Sequence, residues 1–162
     1  MQNTVSNKTY DLEYNRQDKA EIIIHLNEIL ANYQLYFHKL RIFRWNVVGR
    51  EYFDLQNQFM NLQEKAQRNI DEIAERIRIF DQTPLKLLND YIKSSKIKEN
   101  GLNLTAHEMV QEVLGDMLTL LSLQEDCMKM TIDLQDYGTE KMLKDFIYET
   151  EKDHKMLLSW LK

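Results

Sequence analysis

Apolar residues recur along this chain with the period of an α-helix rather than that of a β-strand. Over four long stretches the apolar side chains recur at spacings of three and four residues, which places them on one face of a helix. The predicted helices cover residues 17–47, 53–80 and 105–134, and a fourth begins at Gly138 and Thr139 and ends near residue 161. Each has one stripe suited to a shared core, so the pattern predicts an all-α four-helix bundle.

The predicted core stripes consist mainly of large aliphatic and aromatic residues. In the first two helices they are Ile22, Leu26, Ile29, Tyr33, Tyr36, Leu40, Phe43 and Val47, then Phe59, Leu62, Ala66, Ile70, Ile73, Ile77 and Phe80. In the last two they are Val110, Val113, Leu114, Met117, Leu121 and Met128, then Leu143, Phe146, Ile147, His154, Leu157, Trp160 and Leu161. A lone histidine on such a stripe is interpreted first as a hydrogen-bonded core or interface residue.

Local signals predict the helix ends and the connection between the second and third helices. The residue before a proline avoids the helical region, so the second helix should end before Thr83 and Pro84. Thr105 and Glu108 have the spacing of a capping box at the start of the third helix. The connection over residues 81–104 is too long for a simple turn, and its LKLLNDYI segment suits a short extra helix.

The composition favours one helical domain. The chain has 162 residues, of which 43% are hydrophobic, with one proline and four glycines. We expect residues 1–16 to be a flexible N-terminal tail and residues 17–162 to be the bundle domain. No segment has the apolar character of a secretion signal or a membrane span, and the single Cys127 suits a reducing compartment, so a cytoplasmic location is predicted.

The segment from Arg44 to Arg76 resembles the hallmark of the Dps mini-ferritins, the DNA-binding proteins from starved cells. The matching residues form a Trp-x-x-x-Gly turn followed by Phe, Leu and an Asp-x-x-x-Glu-Arg pair, and they are Trp45, Gly49, Phe53, Leu55, Asp71, Glu75 and Arg76. The resemblance implies a ferritin-like bundle whose long crossover carries the short helix. It also implies a hollow homo-oligomer of twelve subunits that oxidises Fe(II) with peroxide or dioxygen, stores ferric mineral and protects against oxidative stress.

In that family the ferroxidase centre lies between two subunits, and several of its ligand positions are substituted in this chain. Arg44 and Gln56 stand where the family usually has histidine, and Met60 replaces a carboxylate, which leaves Asp71 and Glu75 beside Trp45. Fe(II) needs several imidazole and carboxylate ligands, and a guanidinium cannot coordinate a cation. We therefore expect weakened or lost ferroxidase activity, with low iron occupancy, and hypothesise a salt bridge from Arg44 to the two carboxylates.

Other interpretations of these residues remain open. Asp71 and Glu75 could be ordinary solvated acids, with Glu75 paired to Arg78 or Arg68, and the chain could be a non-catalytic cage or a partner subunit. Glu151 and His154 match once the Glu-x-x-His motif of ferritin-like metal sites inside a bundle. The resemblance places the family's iron pores at the junction of the last two long helices, where the candidate residues are Asp133, Asp136, Glu140, Lys141 and Asp145.

Tight DNA binding is not expected, although it gives the family its name. In the first twenty residues three basic residues are offset by three acidic ones: Lys8, Arg16 and Lys19 against Asp11, Glu13 and Asp18. The formal charge of the chain is −5, whereas binding to duplex needs clustered cations. The KSSKIKEN stretch, with Lys93, Lys96 and Lys98, is interpreted as a solvated loop rather than a DNA-binding patch.

Overall fold

The computed structural model describes residues 16–162, which form five helices. These are α1 (Arg16–Asn46), α2 (Tyr52–Ile79), α3 (Leu88–Ser94), α4 (Ala106–Asp133) and α5 (Tyr137–Trp160). All four long helices are confirmed with ends within one residue of the prediction, and α3 is the short extra helix of the crossover. The predicted N-terminal tail lies outside the described residues, apart from residue 16, where α1 begins.

The long helices pack around a single apolar core. α1 packs against α2 and α4, α5 packs against α4 and α2, and α3 lies on α1. Every residue predicted for the stripes of α1 and α2 is buried. The stripe of α4 differs, because Leu121 and Met128 are only partly buried while the polar Gln124 and Thr131 are fully buried. The buried face of α4 therefore lies about one residue away from the apolar pattern.

Local sequence fixes the turn between α1 and α2 and the start of α4. Between α1 and α2, Gly49 has φ +102°, a conformation that L side chains rarely adopt, so a glycine is required in this turn. At the start of α4, Thr105 and Glu108 form the predicted capping box: the Thr105 amide donates to Glu108 Oε2 at 2.7 Å, and the Glu108 amide donates to Thr105 Oγ1 at 3.3 Å. The α1–α2 turn and the first residues of α4 thus follow from local sequence.

Two asparagines of α1 fix the crossover to the bundle. Asn27 Oδ1 accepts a hydrogen bond from the Leu85 amide at 3.0 Å. The fully buried Asn32 accepts from the amides of Lys96 and Ile97, both at 3.0 Å, and from the Ser95 hydroxyl at 3.2 Å. These bonds satisfy backbone donors that a buried loop would otherwise leave unpaired, and so they hold the segments on both sides of α3 against α1.

A buried ion pair joins α1 to α4. The Lys39 Nζ atom lies 3.0 Å from Asp116 Oδ1 and 2.8 Å from Oδ2, and Glu112 lies 3.3 Å away on the more exposed side. Burial raises the pKa of Asp116 from 3.8 to about 6, although the hydrogen bond and charge of Lys39 oppose this shift. The folded protein therefore binds more protons at Asp116 than the unfolded chain does between these two values.

This raised pKa predicts a pH dependence of stability that Asp116→Asn should remove. The stabilisation from protonating Asp116 is fully present below pH of about 4 and is lost as pH rises through about 6, a change of about 2 to 3 kcal/mol. Urea denaturation of both proteins should show the unfolding free energy of the wild type falling by that amount relative to the variant. A constant difference between about pH 4 and pH 7 would contradict the assignment.

Candidate metal centre

Arg44 lies in the last turn of α1 and faces an open groove of 760 Å³. The groove is lined from α2 by carboxamides, by the cations Lys65 and Arg68 and by the acid Glu64, and from α5 by Asp153. Arg44 forms no ion pair with any residue that the structure describes. The neighbouring Trp45 is 61% exposed, with the Arg41 guanidinium 5.4 Å from its ring centre. The substituted end of the motif thus lies on a solvent-accessible surface of mixed charge.

Asp71 and Glu75 lie on the exposed face in the second half of α2. Both oxygens of Asp71 accept from Gln67 Nε2 at 3.2 Å, and Glu75 has no ion pair within residues 16–162. The two suggested partners of Glu75 are engaged elsewhere, since Arg68 lies 3.9 Å from Glu149 and Arg78 donates to the carbonyl of Gln82. Within one chain the carboxylates therefore remain open to a ligand or to another subunit.

The two halves of the motif do not meet within one subunit. Gln58 at the Arg44 end of the groove precedes Asp71 by thirteen residues, which is about 20 Å along a helix, although the far end of the groove reaches Gln67, the partner of Asp71. Gln56 is half-buried and Met60 exposed, both in the first half of α2. Residues 16–162 contain no group of three or more His, Cys, Asp or Glu placed to hold a metal ion. A salt bridge from Arg44 to these carboxylates thus needs a second copy and stays a prediction.

The centre of the bundle holds a neutral hydrogen-bond network that the sequence patterns missed. The Tyr33 hydroxyl accepts from Asn69 Nδ2 at 3.0 Å and from Gln124 Nε2 at 2.6 Å. Burial raises the pKa of Tyr33 to about 12, so the phenol stays protonated. In the sequence, the available sign of this network was a polar side chain within the buried face of a helix, such as Asn69 in α2 and Gln124 in α4.

The alternative metal motif lies away from this network. Glu151 is exposed and His154 half-buried on α5, whereas the adjacent Asp153 is buried and bound by Lys65 Nζ at 2.7 and 2.8 Å. Cys127 is also buried, and burial raises the pKa of its thiol to about 12, which keeps it protonated. A metal role for Glu151 and His154 stays a prediction.

The corner between α4 and α5 carries the candidate pore residues in three different settings. Asp133 is exposed, whereas Asp136 is fully buried and bound by Arg76. Lys141 forms an ion pair with Asp145, and Lys144 forms one with Glu140, both along the outside of α5. Each corner lysine therefore offsets an acid of the same helix, and Asp136 is not available at the surface of the chain.

The KSSKIKEN stretch does not present three free lysines. Lys96 Nζ lies 3.2 Å from Glu28, and Lys98 Nζ donates to the carbonyl of Ser95 at 2.5 Å. Separately, none of the described helices has the length and apolar character needed to cross a bilayer. Two of the three lysine charges are thus already engaged by groups of the same chain.

Comparison with known proteins gives one family. The ferritin-like domain family matches residues 23–162. DNA protection during starvation protein 2 of Bacillus anthracis is 31% identical over 87% of this chain and 97% of its own length. General stress protein 20U of Bacillus subtilis is 28% identical over the same shares.

A solved structure agrees with these sequence relatives. It is that of the Dps protein from Vibrio cholerae O1, described as a member of a broad superfamily of ferritin-like diiron-carboxylate proteins. It superposes with a TM-score of 0.88 at 32% identity and covers 90% of this chain and 92% of that one. This chain therefore belongs to the ferritin-like family, and within it to the Dps mini-ferritins.

Proposed function

We propose that this chain is a mini-ferritin that sequesters iron and protects against oxidative stress as a hollow homo-oligomer of twelve subunits in the cytoplasm. Family membership supports the proposal, as do the names of its relatives, a starvation protection protein and a general stress protein. Fe(II) is the substrate, peroxide or dioxygen is the oxidant, and ferric mineral is the stored product. The exposed acids of α2, such as Glu72, supply surface on which mineral can nucleate.

The observation that carries the proposed site is that neither Arg44 nor the two carboxylates of α2 have an ion pair among the described residues of one chain. Arg44 has no ion pair among the described residues of its own chain, while Asp71 and Glu75 are exposed about 20 Å further along the bundle. In the assembled protein Arg44 of one subunit faces these two carboxylates of the next, with Gln56, Met60 and Trp45 beside them. A guanidinium there repels Fe(II) and neutralises the remaining ligands. Ferroxidase activity is therefore weakened or lost.

Iron reaches the protein at the acidic corner between α4 and α5. Asp133 is exposed there, and Glu140 is half-buried in the first turn of α5. Because Lys141 and Lys144 pair with Asp145 and Glu140, the attraction of the corner for cations is smaller than its number of carboxylates suggests. Slow uptake of iron thus follows from these two ion pairs.

Anaerobic Fe(II) loading of the purified, sized oligomer tests the proposal. After addition of peroxide or air, iron should co-elute with the protein as soluble ferric mineral, at an oxidation rate within about twofold of a protein-free control. The double variant Asp71→Asn with Glu75→Gln should oxidise iron at the same rate, because the centre is already blocked. Iron that precipitates without the protein would refute storage, and rapid oxidation lost in the double variant would refute the blocked centre.

A second candidate function is that of a non-catalytic subunit that assembles with an intact relative. The substitutions at Arg44, Gln56 and Met60 favour it, because a neighbouring subunit of another sequence could supply the missing ligands. Native mass spectrometry after co-expression with such a relative should show mixed cages, and two separate populations would count against it. DNA compaction ranks lower, and a mobility-shift assay at low and physiological salt should leave duplex unshifted.

A further inference from the structure

Arg76, the last residue of the Asp-x-x-x-Glu-Arg motif, contacts the α4–α5 corner. Its Nε atom donates to Thr139 Oγ1 at 2.8 Å, and its Nη2 atom donates to Asp136 Oδ1 at 2.5 Å. The Arg76 side chain is 14% exposed and the Asp136 side chain fully buried. Successive helix residues are about 100° apart, so Arg76 points some 100° from Glu75 and 140° from Asp71. The arginine of the motif therefore lies on a different face of α2 from its two carboxylates.

The Asp136 carboxylate binds both Arg76 and the first turn of α5. It caps the N-terminus of α5 by accepting from the Thr139 amide at 3.1 Å, and it also accepts from the Thr139 hydroxyl. A buried carboxylate that loses its cation is strongly destabilising, so the position of the cap is coupled to the position of the Arg76 guanidinium. The first turn of α5 is thereby fixed relative to the end of α2.

Gly138 leaves the space that this guanidinium fills. A Cβ atom on Gly138 would lie 2.7, 2.8 and 2.9 Å from Nη1, Nη2 and Cζ of Arg76, closer than carbon atoms tolerate. The backbone of Gly138 is not among the described residues with positive φ, so the effect of a side chain here would be to displace the Arg76 guanidinium from its hydrogen bonds, not to strain the backbone. The guanidinium also stacks on Phe80, with Arg76 Cζ 4.8 Å from the centre of the ring. The guanidinium therefore has little freedom to move.

We call Arg76, Asp136, Gly138 and Thr139 together the latch. The α4–α5 segment that the latch holds carries the acids of the corner. Asp133 precedes the cap by three residues and Glu140 follows it by four. Both side chains depend on the backbone path between α4 and α5, where Gln135 already has a left-handed φ of 57°. A shift of the cap would therefore move Asp133 and Glu140 relative to each other.

We propose that Arg76 is a positioning residue for iron uptake. It does not touch the iron, but holds the corner so that Asp133 and Glu140 keep the arrangement through which Fe(II) reaches the protein. The inference rests on the proposed function, because uptake at this corner is part of it. This role of Arg76 does not depend on the substituted ligand positions Arg44, Gln56 and Met60.

The test is Gly138→Ala, which leaves every charge and every hydrogen-bonding group in place. The matched control is Gly115→Ala in α4, where no heavy atom lies within 4 Å of the added Cβ. Hydrogen exchange of the 131–141 amides reports the corner directly, with amides of α1 as an internal reference. Iron uptake by the assembled protein is then measured against Fe(II) concentration, which separates the half-saturating concentration from the maximal iron content.

In Gly138→Ala we expect exchange at Thr139 and Glu140 to become about tenfold faster, with no change in α1. The half-saturating Fe(II) concentration should rise about threefold or more at unchanged maximal content, since the field of the corner is altered and the storage volume is not. The control should behave as the wild type in both assays. Unchanged corner exchange would overturn the latch, and a loosened corner with unchanged half-saturation would make Arg76 structural only.

Two further variants keep the inference testable if Gly138→Ala misfolds. Arg76→Met combined with Asp136→Asn removes the buried charge pair but retains a side-chain oxygen to cap α5, and should loosen the corner in the same way. Arg76→Lys keeps the positive charge but cannot donate from two nitrogens to Thr139 and Asp136 at once, so it should retain only part of the wild-type affinity for Fe(II) uptake. If the wild type takes up no iron, the proposed function fails and the uptake role with it. Exchange at Thr139 would still decide whether Arg76 holds the corner.

Discussion

Asn32→Ala should lower the unfolding free energy of the bundle by about 3 kcal/mol. The side chain is fully buried, and its oxygen accepts from the amides of Lys96 and Ile97. Alanine would leave both backbone donors without their partner, and each unsatisfied buried donor costs about 1 to 3 kcal/mol. Chemical denaturation followed by circular dichroism measures the loss, and hydrogen exchange at the two amides locates it.

The matched control is Asn46→Ala, at the C-terminal end of the same helix. Asn46 is exposed and bonds only the carbonyl of Ile42, one turn back, so its loss should change stability by less than about 0.5 kcal/mol. Similar losses for the two variants would mean that Asn32 acts mainly through the bond to the carbonyl four residues back, which both asparagines make, since alanine itself has the higher helix propensity. In that case the crossover would be held mainly by apolar contacts such as that of Ile97 with the core.

The parts of the fold that the sequence predicts are those encoded within a few residues. The stripes of α1 and α2 repeat every three to four positions, and the Thr105–Glu108 capping box needs only one turn of helix. The extra helix α3 follows from a loop too long for a turn. These features are local, so tertiary packing had little opportunity to change them.

The contacts that were not predictable join residues far apart in the sequence. Asn32 meets Ile97 across 65 positions, and Arg76 meets Asp136 across 60. Nothing in the local pattern distinguishes a buried asparagine or a spatially required glycine from an exposed one. The Tyr33, Asn69 and Gln124 network is similar, because each residue is an isolated polar position whose partners lie on other helices.

The candidate site divides in the same way. The resemblance identifies Asp71, Glu75, Arg44 and Gln56 from motif spacing alone, yet one chain keeps the first two far from the last two. Charge counting placed Asp136 with the corner acids, whereas the structure places it beneath the surface in contact with Arg76. Burial depends on the path of the turn, which the number of acids does not specify.

Arg44→His combined with Gln56→His should raise the initial rate of Fe(II) oxidation by peroxide at least about tenfold, because two imidazoles would join the Asp71 and Glu75 carboxylates. Removing the guanidinium also removes the charge that repels Fe(II). Arg44 makes no ion pair with described residues of its own chain, and Gln56 is half-buried, so the substitutions should leave the thermal unfolding of the isolated subunit nearly unchanged.

The matched control adds Asp71→Asn and Glu75→Gln to the same double variant. If the restored centre lies between subunits, this quadruple variant should return to the rate of the wild type, because imidazoles alone do not complete an Fe(II) site. A gain that survives the loss of both carboxylates would place oxidation elsewhere on the cage. No gain in the double variant would mean that the missing imidazoles are not the sole defect, and that Met60 or the corner held by Arg76 also limits the reaction.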